Sequence, residues 1–101
     1  MAVALDAAQL LLDRAAANAA DGLPSGYETS VAKLAANRAG FLAADQSLQV
    51  MGAMGYSTET LVEYCFRRTR GWMIAGGSAE ILQNRIAEEV LGRRFSQRVP
   101  R

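Results

Sequence analysis

The polar junction Gly76-Gly77-Ser78 stands immediately before the apolar run that begins at Ala79. The first turn of a helix leaves backbone N–H groups without partners, so such a junction favours an anion or a polar ligand. The glycines also allow a ligand close to the backbone because they carry no Cβ. The stretch therefore predicts a ligand contact at a helix start, and the structural alternative is a loop followed by a capped helix.

A second junction, QVMGAMGY, covers residues 49–56 and combines an amide side chain with two glycines. Gln49 can hydrogen-bond the polar edge of a ligand. Gly52 and Gly55 permit a positive φ or the close approach of another backbone. Taken alone, the stretch also reads as a plain helix end with a glycine stop.

The residue inventory limits the chemistry. The chain has 101 residues, no histidine and one cysteine, Cys65. Serine–histidine and cysteine–histidine pairs, histidine metal sites, four-cysteine zinc sites and internal disulfides are therefore excluded, and no metal site is predicted. Acid–base chemistry must come from carboxylates, tyrosine, lysine or the one thiol.

The charge is uneven, at −2 over residues 1–50 and +3 over residues 51–101. The arginines of the second half form two clusters. These clusters are Arg67, Arg68 and Arg70, and Arg93, Arg94, Arg98 and Arg101. Acidic residues are interleaved with them, which favours solvated helix faces and subunit salt bridges over nucleic-acid binding.

Glycine-bearing breaks separate four helical segments. We expect these helices at about 3–20, 27–51, 58–70 and 78–91, with a tail over 92–101. The spacing Ser25–Glu28 is typical of a capping box, Ser57 or Thr58 is expected to cap the third helix, and Gly92 to end the fourth. The whole chain, 1–101, reads as one all-α domain, a four-helix up-down bundle.

Two further features bear on location and assembly. No apolar run approaches the ~20 residues that cross a bilayer, and the start of the chain lacks the basic region of a signal peptide. A cytoplasmic protein without membrane contact is therefore expected. The second helix needs more apolar cover than three shorter helices readily give, which indicates oligomerisation or a missing part of the protein.

In their order and spacing, these stretches resemble the C-terminal helical domain of acyl-CoA dehydrogenases from about residue 3 to residue 95. QVMGAMGY is similar to that family's Gln-x-x-Gly-Gly-x-Gly-Tyr element. TLVEYCFRRTRGWMI is similar to its arginine-bearing helix, and AGGSAEILQNRIAEEVLG to its closing Glu-Gly-Thr-Ser-Glu-Ile segment. The resemblance implies a flavoprotein oxidoreductase of fatty acid metabolism that is a homo- or hetero-oligomer.

The resemblance implies eight FAD-contacting positions in two groups, with the FAD shared with other domains or a neighbouring subunit. They are Gln49, Val50, Met51, Gly52 and Ala53 at the glutamine-glycine turn, and Ser78, Ala79 and Glu80 after the closing glycine. The turn's second glycine is Ala53 here, which restricts the closest backbone approach.

The family removes an α-proton from an acyl-CoA thioester while a hydride passes from the β-carbon to flavin. Many members take the proton with a glutamate at the position of Gly76, so this chain is expected to carry no catalytic residue. Three explanations remain open: a base on an earlier helix, a mixed assembly in which this chain is the subunit type that has lost the base, or a reaction other than dehydrogenation. Glu80 lies four residues further along the helix and should point elsewhere.

The resemblance also implies two domains that do not fit in 101 residues. The chain therefore reads as a fragment, a truncated paralogue or one subunit of a split enzyme, and is expected to be inactive alone. The alternative is a non-catalytic helical scaffold that kept the oligomerising surface. The acyl substrate and the electron acceptor do not follow from the sequence.

Overall fold

The computed structural model describes residues 1–19 and 22–95, and its regular elements are five helices. They are α1 (Ala2–Ala17), α2 (Gly26–Met51), α3 (Ala53–Tyr56), α4 (Leu61–Trp72) and α5 (Ala79–Leu91). The predicted all-α class is confirmed. The four-residue α3 was not expected, and it lies in the glycine-bearing break after α2. None of the described helices combines the length and the apolarity needed to cross a membrane.

Side-chain and glycine caps fix the ends of α2 and α5. The Ser25 hydroxyl accepts a hydrogen bond from the Glu28 N–H at 3.1 Å, at the start of α2. The Ser78 hydroxyl accepts one from the Ile81 N–H at 3.4 Å, at the start of α5. Gly92, with φ 64°, ends α5 in the left-handed conformation that glycine adopts without a Cβ penalty.

The expected cap of α4 at Ser57 or Thr58 is wrong. This helix begins after Thr60, whose side chain makes no capping hydrogen bond. The Ser57 hydroxyl instead accepts a hydrogen bond from the Glu59 N–H at 3.2 Å, which closes a local turn before the helix. A serine that bonds the backbone two residues on favours such a turn over a helix start.

The helix α2 is the axis of the fold, and α1 lies antiparallel to it. The Met1 sulfur lies 3.6 Å from the Ser47 hydroxyl. At the opposite end, the Asn18 side-chain amide donates to the Glu28 carboxylate at 2.7 Å. The chain therefore reverses between residues 18 and 25 and runs back along α1.

The helices α4 and α5 pack one after the other along α2, and both run antiparallel to it. The Phe41 and Phe66 rings lie 5.4 Å apart where α4 meets α2. Leu34, Ala79 and Leu82 form a buried cluster where α5 meets α2. The 26 residues of α2 span about 39 Å, and the 12 and 13 residues of α4 and α5 together span about 38 Å. The long helix is thus matched by two short helices in series.

The packed layer is thin and leaves much apolar surface in water. Its smallest extent is 21 Å, about two helix diameters. The accessible surface is 7437 Å², whereas a typical monomer of 10.8 kDa exposes roughly 5,500 Å². Large apolar side chains on several helices are exposed, among them Val3 at 84%, Val50 at 83% and Leu10 at 69%. Exposed apolar patches of this kind are typical of surfaces that contact other protein.

Two glycines of α2 and α3 differ in how much space surrounds them. A Cβ on Gly55 would lie 2.7 Å from the Leu48 carbonyl oxygen, so we expect Gly55→Ala to destabilise the fold by about 1–3 kcal/mol. A Cβ on Gly40 would lie 3.6 Å from a Thr69 methyl group, which is ordinary contact. Gly40→Ala should therefore stabilise by up to about 1 kcal/mol through helix propensity. Urea unfolding of both variants measures the difference, and a Gly55→Ala variant as stable as Gly40→Ala would contradict this packing.

Candidate functional site

The two predicted groups of site residues lie apart in the fold. Residues 49–53 form the end of α2 and the start of α3. Residues 78–80 begin α5, where Ala79 packs against Leu34 of α2. From Leu34 to Gln49 the helix advances about 22 Å. The structure therefore keeps each group together but does not join the two groups.

The end of α2 is open to an approaching ligand. Gly52 has φ 60° and ψ −137°, a backbone conformation that favours glycine, and a Cβ there would meet nothing within 4 Å. Gln49 is exposed, and its side-chain amide makes no hydrogen bond with any described residue. Val50 is almost fully exposed although it is apolar. An amide without a partner, an open glycine turn and an uncovered valine together fit contact with another molecule.

Gly55 serves packing rather than ligand approach. It is buried, and it brings α3 against the backbone of Leu48 in α2. Tyr56, the next residue, points its side chain into solvent. Of the two glycines in QVMGAMGY, only Gly52 leaves free space for a ligand.

The start of α5 is not the open donor site that the sequence indicated. The Ala79 N–H already donates to the Met73 carbonyl at 3.1 Å. The Ile81 N–H donates to the Ser78 hydroxyl. The Leu82 N–H donates to the Ser78 carbonyl at 3.0 Å. The chain itself therefore occupies the donors of Ala79, Ile81 and Leu82, and a ligand here must compete with these bonds or contact side chains instead.

The pKa of Glu80 is lowered by this arrangement. The largest cause is the hydrogen bond from its own backbone N–H, followed by the hydrogen bond from Ser78. Desolvation opposes the shift, and the positive charges of Arg70 and Arg38 add to it. Both arginines come from other helices, Arg70 from α4 and Arg38 from α2.

A shallow cleft of about 330 Å³ lies beside this carboxylate. Apolar side chains from α2, the loop and α5 form most of its wall, and one cation and one anion stand among them. The lining residues are Phe41, Arg70, Met73, Ile74, Ala79 and Glu80. Such a cleft suits a flat apolar body with a polar edge.

The loop between α4 and α5 holds no proton acceptor at Gly76. Gly76 and Gly77 have φ of 69° and 103°, a conformation that L side chains rarely adopt. A Cβ on Gly76 would lie 3.6 Å from Cε of Lys33 and 4.0 Å from its Nζ. The side chain nearest to the usual base position is thus a cation.

Sequence reasoning missed the part played by α2 in this region. The Lys33 ammonium donates to the loop carbonyls of Ala75 and Gly77, and Asn37 donates to Trp72. Lys33 and Asn37 are spaced i, i+4 on an alanine-rich helix, which places two polar side chains on one face. That spacing was the available signal, but the loop that the face contacts lies more than thirty residues away in the chain.

Comparison with known proteins identifies the relatives of the chain. A sequence model of the acyl-CoA dehydrogenase C-terminal domain matches residues 1–91. A 3-sulfinopropanoyl-CoA desulfinase of Paraburkholderia xenovorans is 37% identical over 97% of this chain and 25% of its own length. A glutaryl-CoA dehydrogenase of Desulfococcus multivorans is 38% identical, over 97% of this chain and 25% of its own length.

A mitochondrial short-chain specific acyl-CoA dehydrogenase of Rattus norvegicus is 40% identical over 90% of this chain and 22% of its own length. The chain therefore spans about a quarter of the relatives that it matches. The relatives' names cover both dehydrogenases and a desulfinase.

The Glu80 pKa generates a pH prediction. Because the folded pKa lies below the ordinary value of 4.5, the contribution of Glu80 to stability is present above that pH and is lost as the pH falls through the lowered pKa. Ser78→Ala should raise this pKa more than Arg38→Met, since Ser78 is the larger cause. Side-chain NMR titration of the Glu80 carboxyl measures both shifts, and a larger rise in Arg38→Met would contradict the arrangement.

Proposed function

This chain belongs to the acyl-CoA dehydrogenase family, and we propose that it forms the C-terminal helical part of a flavin-dependent enzyme that α,β-dehydrogenates an acyl-CoA thioester. In this proposal it contributes part of the FAD site and the subunit interface, and it is not active alone. The observation that carries the proposal is the open end of α2, where Gln49 and Gly52 are exposed within a chain that matches this domain over residues 1–91. The cytoplasmic location expected from the sequence stays a prediction.

The residues at the end of α2 fit a cofactor contact. FAD, when bound, supplies the acceptor for a hydride. The Gln49 amide can donate to or accept from a polar edge of that cofactor. The exposed backbone at Gly52 leaves space for close approach, while the methyl group of Ala53 limits it at the next residue.

The start of α5 fits a second contact. Ser78, Ala79 and Glu80 border the cleft or stand at its rim, and their side chains differ in kind: a hydroxyl, a methyl and a carboxylate. The two groups lie about 22 Å apart along α2. They must therefore meet opposite ends of one extended dinucleotide or two separate FAD molecules, and the second arrangement requires a neighbouring subunit.

The exposed apolar faces support a subunit interface. Val3, Leu10, Val50 and Leu61 are each exposed by more than two thirds although they are apolar. A standard protein–protein interface buries about 800 Å² on each partner, and exposed apolar patches mark such interfaces. The proposed partners are further copies of this chain or other domains of the enzyme.

The proposed reaction needs a catalytic base, which this chain does not provide at Gly76. Removing an α-proton requires a positioned acceptor, and Gly76 supplies none. We place the base outside this chain, on an earlier helix of the same enzyme or on a partner subunit of a mixed complex. Lys33 is not an alternative, because its side-chain nitrogen already donates hydrogen bonds to the carbonyls of Ala75 and Gly77.

Desulfination is a second candidate function, and Gly76 is the observation that favours it. The desulfinase of Paraburkholderia xenovorans is 37% identical to this chain. Hydrolytic desulfination, in which water supplies the hydrogen of a new carbon–hydrogen bond and sulfite leaves, keeps the α-proton in place and needs no carboxylate to remove it. A chain without that carboxylate is therefore compatible with desulfination as well as with a base supplied from elsewhere.

A non-catalytic scaffold is the remaining alternative. Only a residue without a structural role in this chain can distinguish a scaffold from an enzyme. Gly55 is needed for packing and Ser78 caps α5, so a scaffold would keep both. Gln49 has no such structural role, because its amide bonds no described residue. Gln49 is thus the residue whose function distinguishes the two readings.

We expect Gln49→Ala to weaken FAD binding about fivefold in the assembled flavoprotein that contains this chain, as loss of one hydrogen bond predicts. Gln46→Ala is the matched control, since Gln46 is an exposed glutamine one turn earlier on α2. Flavin absorbance per chain after gel filtration, over a series of FAD concentrations, gives the affinity. Equal affinities in the two variants would favour the scaffold.

Substitution at Gly76 tests where the base lies. Gly76→Glu adds a carboxylate, and Gly76→Gln carries the same backbone strain without one. If the base stands elsewhere in the enzyme, neither variant dehydrogenates acyl-CoA faster than the parent. Dye-coupled assays with a panel of acyl-CoA thioesters measure this. Faster dehydrogenation in Gly76→Glu, without the same increase in Gly76→Gln, would contradict a base elsewhere. It would indicate that the active site of the parent enzyme lacks a base altogether.

A further inference from the structure

Three hydrogen bonds tie the loop between α4 and α5 to the middle of α2. The Lys33 ammonium donates to the carbonyl oxygen of Ala75 at 3.2 Å and to that of Gly77 at 3.4 Å. The Asn37 side-chain amide donates to the carbonyl oxygen of Trp72 at 2.8 Å. These bonds join residues 35 to 44 positions apart in sequence. We call Lys33 and Asn37 the loop clamp.

The loop needs such a clamp because its backbone can adopt many conformations. It contains two consecutive glycines at positive φ, and glycine loses more conformational freedom on folding than any other residue. Ala75, Gly76 and Ile74 are exposed, so burial contributes little to holding them. Backbone bonds to Gly71 hold the N–H groups of Ile74 and Ala75, and the bonds from α2 hold the carbonyl groups of Ala75 and Gly77 around the second half of the loop.

Lys33 donates hydrogen bonds to the carbonyls on both sides of Gly76. An ammonium carries three donors and no acceptor, and bonds from a charged donor are stronger than neutral ones. The Lys33 stem passes within contact distance of the place where a Cβ on Gly76 would stand. The same lysine thus sets the path of the backbone before and after the glycine.

We propose that Lys33 and Asn37 are positioning residues for the start of α5, which they fix by binding the carbonyls of Trp72, Ala75 and Gly77. Ser78, Ala79 and Glu80 follow directly, so the clamp sets where the hydroxyl, the carboxylate and the wall of the cleft stand relative to α2. The effect of the clamp on FAD binding rests on the proposed function, whereas its effect on the start of α5 does not.

Amide hydrogen exchange in the 101-residue chain tests the clamp without a cofactor. The amides of Ala79, Ile81 and Leu82 are bonded to the loop or to Ser78 and report on the start of α5. We expect Lys33→Met to lower their protection about tenfold, since a charged hydrogen bond is lost. The amide of Ala39, in the buried middle of α2, reports on global unfolding and should keep its protection.

Two further variants control the experiment. Arg14→Met removes an exposed cation from α1 and should leave the α5 amides unchanged. Lys33→Arg keeps charged donors and should restore most of the protection. Equal loss at Ala39 and at the α5 amides, or no loss at the α5 amides, would overturn the positioning role.

A second measurement separates the clamp from the cofactor site. In the assembled flavoprotein, Lys33→Met should shift the visible absorption band of the flavin, and Lys33→Arg should return it. An unchanged band together with lost amide protection would overturn the link between the clamp and FAD while the clamp stands. A shifted band without lost protection would overturn the clamp.

Discussion

Packing of every other helix against α2 is the constraint on which the structure depends. Along the described residues, α1 follows one side of α2, and α4 and α5 share the other in series. Because α1, α4 and α5 do not pack on one another, α1 and α5 owe their positions to α2, and α4 owes its position to α2 and the short α3. The buried side chains are accordingly few and mostly alanines, and the apolar faces that remain are extensive.

The series arrangement also determines where the two candidate cofactor contacts fall. One lies where α2 ends, and the other lies at the loop that connects α4 to α5, beside the middle of α2. This short loop contains glycines at positive φ, and side chains of α2 donate hydrogen bonds to its carbonyls. The same loop contains Gly76, at which the proposed function would call for a carboxylate. The loop with the positive φ angles is therefore also the place where this chain lacks a carboxylate.

Much of this could be read from the sequence, and the rest depended on contacts between distant residues. The helices, the Ser25 and Ser78 caps and the Gly92 stop follow from local residue patterns, and the family assignment follows from motif order. The cap of α4 was misplaced because Ser57 closes a turn of its own. The occupied donors at α5 and the bonds from Lys33 could not be predicted, since they join residues that only the packed helices bring together.

We propose that this chain completes a flavin site only together with other protein surface. Fluorescence titration of FAD against the isolated 101-residue chain, followed by gel filtration, tests this dependence. We expect no saturable change in flavin fluorescence and no flavin eluting with the chain. Retention of one FAD per molecule by the isolated chain would contradict the proposal.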